Sequence, residues 1–139
     1  PVLRYRTHDL TRVVTEKCSC GRTHARMRKV RARCDDMLII RGTNVFPSQV
    51  EDVLAGIEGV TPHYLIVVDN ETGLDRMTVN VELKPEAFSD SFEVMDNFRQ
   101  MVAEKLKGTL LVGVKVKLVE PGGIERSTGK TKHVKDLRK

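Results

Sequence analysis

Between Asp36 and Leu118 the spacing of apolar residues changes from block to block, and that order constrains the fold more than any other feature. Met37–Ile40 is a short apolar run of the buried-strand type. Val50, Val53, Leu54 and Ile57 then recur at i, i+3, i+4 and i+7, the stripe of one helix face. Pro47 stands where a helix can begin, Ser48 and Glu51 form a capping-box pattern, and Gly59 is the stop. Tyr64–Val68 reads as a continuous apolar strand, and Asp69-Asn70 with Thr72-Gly73 as the turn after it. Met77, Val79, Val81 and Leu83 alternate with Thr78, Asn80 and Glu82, a half-buried strand that Pro85 ends. Ser89–Ser91 opens a second helix with the stripe Phe92, Met95, Phe98, Met101, Val102 and Leu106, and Lys105 and Lys107 lie late, where the helix dipole favours cations. Val112, Val114, Val116 and Leu118 alternate with outward Lys115 and Lys117. The order predicts an α+β domain, a ferredoxin-like βαββαβ arrangement with an antiparallel sheet and both helices on one face.

Residues 1–34 follow a different pattern. Val2–Tyr5 and Leu10–Thr15 are β-prone pieces separated by Arg6-Thr7-His8-Asp9, with too few apolar residues for an independent core. We expect residues 1–34 to be a short β-rich segment, either trailing from a larger preceding domain or laid as a flap on the next one, and residues 35–139 to be a domain of their own. The first residue is Pro, and the chain carries no signal peptide or long apolar span. The expectation is a piece of a longer cytoplasmic protein with no membrane partner.

A net charge of +5 favours anionic partners: a nucleotide, coenzyme phosphates or nucleic acid. RNA reading would require stacking aromatics on the outer strands, and Met37–Ile40 and Arg76–Leu83 contain none, so no nucleic acid is expected. The three cysteines do not suggest a disulfide framework. Cys18, Cys20, His24 and Cys34 are zinc-ligand types, although their spacing matches no common finger; the alternative is a polar loop of reduced thiols.

Two further features invite a role. Asp35-Asp36 separates a basic segment from an apolar one, and Arg41-Gly42 follows shortly after. The tail 121–139 combines Gly122-Gly123 and Gly129 with a run of cations that includes Lys130, so it should be pliable and basic. One reading is a stand-alone metabolite-binding or regulatory module with a basic tail. The other is a mobile lid over another domain's active site, with a hinge at Asp35-Asp36 and a cation delivered on the Lys130 loop.

The ordered motifs Tyr5-Arg6-Thr7-His8-Asp9-Leu10, Arg33-Cys34-Asp35-Asp36-Met37, Arg41-Gly42 and Arg126-Ser127-Thr128-Gly129-Lys130 resemble the C-terminal portion of the AMP-forming, adenylate-forming enzymes. That superfamily includes the acyl- and aryl-CoA synthetases, luciferases and peptide-synthetase adenylation domains. The stretch from Cys20 to Leu54 is most similar to the phenylacetate–CoA ligase subfamily. The resemblance implies roles position by position. Asp9 would accept hydrogen bonds from the ribose hydroxyls of ATP or AMP, and Arg33 would belong to the same nucleotide site. Asp35 would be the hinge between two half-reactions, Gly42 would lie beside the pantetheine arm of CoA, and Lys130 would reach the adenylation centre. It also implies ATP with Mg2+, CoA as co-substrate, an aryl acid, and an N-terminal adenylation domain outside this chain. His8, Ala32, Glu125 and His133 depart from the common superfamily pattern without removing a proposed functional group.

Overall fold

A computed structural model describes residues 3–70, 73–126 and 133–138. The chain divides into two compact units, Pro1–Met37 and Leu38–Lys139, so the division falls just after the Asp35-Asp36 pair.

The first unit is a twice-paired ribbon. Strand β1 (Asp9–Leu10) and β2 (Val13–Val14) run antiparallel to β4 (Ala32–Arg33) and β3 (Arg26–Met27) respectively. Backbone bonds from Arg28 to Arg12 (3.0 Å), Arg31 to Leu10 (2.9 Å) and Cys34 to His8 (2.8 Å) join the two pairings. No described residue of this unit is buried. Leu10, Val13, Met27 and Val30 are 40, 63, 68 and 37% exposed. The lack of an independent core agrees with the apolar poverty of the sequence.

The second unit has a core. Strands β5 (Leu38–Ile40) and β6 (Thr43–Val45) form a hairpin, followed by α1 (Pro47–Ala55). Long strands β7 (Val60–Asp69) and β8 (Arg76–Leu83) pair antiparallel, α2 (Phe92–Leu110) crosses over, and β9 (Val114–Val119) returns parallel to β8. The last strand, β10 (Val134–Asp136), lies parallel to β7, giving the sheet order β10-β7-β8-β9. Helix α1 packs on β7, α2 on β9, and the two helices on each other. Met77, Val79, Val81 and Leu83 meet Val50, Leu54, Val102 and Leu106 in one buried cluster. Burying a side chain of this size is worth about 1.5–3 kcal/mol, so this layer is the main source of the unit's stability.

The α+β class, the two helices and the small sheet agree with the sequence reading; the pairing inside the sheet differs. Met37–Ile40 was expected in the main sheet, yet Leu38–Ile40 folds back on Thr43–Val45 across the two-residue turn Arg41-Gly42. That turn is local and consumes the strand's pairing edge, which leaves the edge of β7 to β10. The expected all-antiparallel sheet is therefore mixed, with two of its three pairings parallel. Helix α1 also begins one residue before the expected cap. Pro47 is its first residue, and the Phe46 N–H donates to the Gln49 side chain at 2.9 Å, so Gln49 does the work assigned to Ser48 and Glu51. Phe92, placed in the apolar stripe of α2, is 85% exposed because it sits on the first turn, ahead of the buried residues Val102, Leu106 and Leu110.

Helix α1 ends at Ala55 with Gly56 as its C-cap, short of the expected stop at Gly59. Gly59 instead leads into β7 in the left-handed region (φ +88°), where a Cβ would lie 2.7 Å from the Ala87 Cβ. Gly59→Ala should lose about 2–4 kcal/mol, combining left-handed strain with overpacking. Urea unfolding would measure it, and a loss below about 1 kcal/mol would contradict that packing.

Candidate functional site

The ribbon brings together four of the charged residues singled out by sequence. The β1–β4 register sets Asp9 directly opposite Arg33. A 3-10 turn at Cys34–Asp36 then coils the chain back, so that Asp35 lies beside the same guanidinium. Arg33 donates through Nε to Asp35 Oδ1 (3.0 Å) and through Nη2 to Asp35 Oδ2 (2.7 Å), a two-pronged ion pair. Asp9 Oδ1 is 3.8 Å from Arg33 Nη1, and Asp36 Oδ2 is 3.8 Å from Arg33 Nε. Asp35 thus takes the directional bonds, and Asp9 keeps its lone pairs for other donors.

Hydrogen bonding from Arg33 holds the Asp35 carboxyl below its ordinary range, and the same bonds raise the Arg33 guanidinium. These side chains are open to solvent, so the cluster orients groups more than it stabilises the fold. His8, in the left-handed region at φ +64°, places Nδ1 3.6 Å from Cys34 Sγ.

The expected zinc set is not gathered. Cys18 and Cys20 lie 3.2 Å apart with the Arg26 guanidinium 3.4 Å from Cys18 Sγ, whereas Cys34 is beside His8. Among the described residues no group of three or more His, Cys, Asp or Glu side chains could hold a metal ion. Hydrogen bonds from the Cys20 backbone and then its side chain hold the Cys18 thiol below its ordinary range.

Gly42 lies in the second unit, at the tip of the β5–β6 hairpin. Arg41 and Gly42 both have positive φ (49° and 79°), the geometry of a two-residue turn that suits the twist of its strands. The Arg41 guanidinium donates to the Asp75 carbonyl at 2.8 Å, and a Cβ on Gly42 would meet nothing within 4 Å. The bare backbone there is open to a narrow ligand. Lys130 lies outside the described residues.

Sequence reading missed Glu82. Strand alternation set it outward with Thr78 and Asn80, yet it is 1% exposed. The segment after β9 covers it: Arg126 Nη2 donates to Oε1 at 2.7 Å and the Ile124 N–H to Oε2 at 3.3 Å. Gly122 is a left-handed turn residue, and a Cβ on Gly123 would lie 2.4 Å from a Val119 methyl.

Burial pushes the Glu82 carboxyl up, but hydrogen bonds from Arg126, Gly122 and Ile124 outweigh it and hold it below its ordinary 4.5. A depressed carboxyl stabilises the fold above its unfolded pKa, and the contribution is lost as pH falls through the lower folded value. The melting-temperature gap between the parent chain and Glu82→Gln should therefore be widest near neutral pH and shrink below about pH 4.5. A gap independent of pH would contradict this.

Residues 42–138 match the AMP-binding enzyme C-terminal domain family, and the chain belongs to that family. It is 46% identical to a phenylacetate-coenzyme A ligase of Thermus thermophilus and 41% identical to that of Escherichia coli, matching over 100% and 99% of its own length. It spans about a third of those relatives, 34% and 31% of their lengths. A crystallised domain of phenylacetate-coenzyme A ligase from Bacteroides vulgatus is 37% identical, with a TM-score of 0.68 over 76% of this chain and 95% of that domain. A 2-hydroxyisobutyryl-CoA ligase in its postadenylation state is 30% identical, with a TM-score of 0.80 over 94% of this chain and 28% of the ligase.

Proposed function

We propose that this chain is the C-terminal part of an AMP-forming aryl-CoA ligase, which converts phenylacetate, ATP and CoA into phenylacetyl-CoA, AMP and diphosphate. Residues 1–34 would be the trailing segment of the N-terminal adenylation domain and residues 35–139 the mobile lid. The Asp9–Arg33–Asp35 cluster carries this reading, because it combines a nucleotide carboxylate and a hinge carboxylate around one guanidinium. The exposed apolar residues of the ribbon support the first boundary. Leu10, Val13, Met27 and Val30 have nothing in their own unit to bury them, as expected of strands cut from a larger sheet.

In this reading Asp9 accepts the ribose hydroxyls of ATP, and Arg33 contributes positive charge to the same site. Lys130 offsets charge as the acyl carboxylate attacks the α-phosphate, a job suited to a compact ammonium on a loop. Rotation at Asp35 then withdraws Lys130 and brings Gly42 alongside the pantetheine arm for thioester formation. The substrate nucleotide would carry Mg2+, and no residue of this chain is assigned to that ion. Phenylacetate as the acid rests on the relatives, whose printed names specify it. Among the described residues no helix is long and apolar enough to cross a membrane, and the proposed setting is the cytoplasm.

The complete polypeptide, given phenylacetate, ATP, Mg2+ and CoA, should release AMP with phenylacetyl-CoA, and residues 1–139 alone should release neither. ADP in place of AMP, or turnover by residues 1–139 alone, would contradict the assignment.

A further inference from the structure

We propose that Arg138 and Asp75 are positioning residues for the Arg41-Gly42 turn, fixing the backbone that Gly42 presents to CoA. The inference rests on the assignment of Gly42 to the pantetheine arm made above. The turn has little support from its own strands. β5 and β6 are three residues each and form a two-stranded sheet outside the four-stranded one. A hairpin of that length is marginal unless other groups hold it. Burial of Leu38, Ile40 and Val45 holds one face, whereas Ile39 on the other face is exposed, as are Arg41 and Gly42 at the tip.

A ring of side-chain contacts supplies the rest. Arg41 has φ +49°, a region where a Cβ is crowded and where two-residue turns favour Asn, Asp or Gly. Its side chain is used: Nε donates to the Asp75 carbonyl at 2.8 Å, just ahead of β8. The Asp75 carboxylate accepts from Arg138 Nη1 at 3.0 Å, and the same Nη1 donates to the Ile39 carbonyl at 2.7 Å. The contacts thus run from Ile39 along the chain to Arg41, across to Asp75, across to Arg138 and back to Ile39. Asp136 fixes the guanidinium, accepting from Nε at 3.0 Å and from Nη2 at 2.6 Å. Asp136 belongs to β10, which pairs with β7, and the Leu137 N–H bonds the Val68 carbonyl at 2.8 Å. The position of the hairpin tip is therefore set by the main sheet.

A pantetheine arm is narrow and extended, and a backbone beside it serves only at a fixed distance from its path. Displacement of such a lining by about 1 Å is enough to cost rate or affinity. Breaking the ring should therefore fall on the use of CoA. A ring that only stabilised the fold would lower both half-reactions together with the folded fraction.

The test uses the complete polypeptide. Adenylation is measured by phenylacetate-dependent pyrophosphate exchange, and thioester formation from supplied phenylacetyl-adenylate over a range of CoA concentrations. Arg138→Gln and Asp75→Asn should raise the KM for CoA between about twofold and thirtyfold, the range for residues acting on a site through packed neighbours. The kcat for thioester formation should change less, and pyrophosphate exchange should stay near parental. Arg138→Lys keeps the charge but not the fork, so it should recover part of the loss. Asp75→Asn is nearly isosteric and leaves the Asp75 carbonyl to Arg41, which keeps the test usable if Arg138→Gln folds poorly. Gly42→Leu, which puts a side chain into the open space at the turn, is the control for the assignment. A raised KM for CoA in Gly42→Leu, with the Arg138 and Asp75 variants unchanged, would overturn the proposal. Equal losses in both half-reactions would overturn it too. An unchanged KM for CoA in Gly42→Leu would instead remove the assignment of Gly42, and this inference with it.

Discussion

Lys130→Ala in the complete enzyme should slow acyl-adenylate formation by about a hundredfold or more, the scale for losing a charged transition-state contact. The reason is electrostatic. An acid anion must approach an anionic α-phosphate, and charge accumulates on the phosphate oxygens during attack. A cation fixed at that point lowers the barrier without taking part in covalent chemistry. Thioester formation from supplied adenylate involves a neutral carbonyl and a thiol, with pyrophosphate already gone. It should change far less. Lys130→Arg should recover only part of the rate, because a planar, forked guanidinium does not replace a compact ammonium at one point. Pyrophosphate exchange and adenylate-supplied thioester formation, measured on one preparation, separate the two steps. Equal loss in both would remove Lys130 from its proposed role.

Asp35→Pro should do the reverse, slowing thioester formation more than adenylation. Proline fixes φ near −65° and removes the backbone N–H, so a residue that must change φ between two half-reactions is held in one of its states. Asp35 sits in a 3-10 turn, a conformation whose typical φ of about −50 to −70° a proline can adopt. The substitution also deletes the two bonds from Arg33, and Asp35→Ala controls for that loss. If the hinge is the point, Asp35→Ala should retain much of the thioester rate that Asp35→Pro loses. Equal behaviour of the two variants would shift the weight from the hinge to the ion pair.

Much of the second unit was legible in the sequence because its core residues obey one period at a time. Met77, Val79, Val81 and Leu83 all lie within 1% of complete burial, as strict alternation demands. Val50 and Leu54, like Val102 and Leu106, fall on buried helix faces for the same reason. What escaped was set by distant neighbours. Val134–Asp136 is short and charged, and it becomes a strand because β7 has a free edge. Glu82 is buried because residues 121–126 fold over it, which no local pattern records. The site divides in the same way. Asp9 and Arg33 carried motifs, but their face-to-face placement depends on a register between strands far apart in sequence. Gly42 was singled out by its motif, and its left-handed turn geometry and open surroundings are visible only in three dimensions. The cysteines had the right chemistry for zinc, and folding divided them between Arg26 and His8.

The central claim is that one short segment separates two half-reactions, with a lysine serving the first and a hinge serving the passage to the second. Its most direct test is the ratio of adenylation rate to thioester-formation rate in Lys130→Ala and Asp35→Pro, measured side by side by rapid quench. The account predicts that the ratio falls in Lys130→Ala and rises in Asp35→Pro. Movement of the two ratios in the same direction would contradict it.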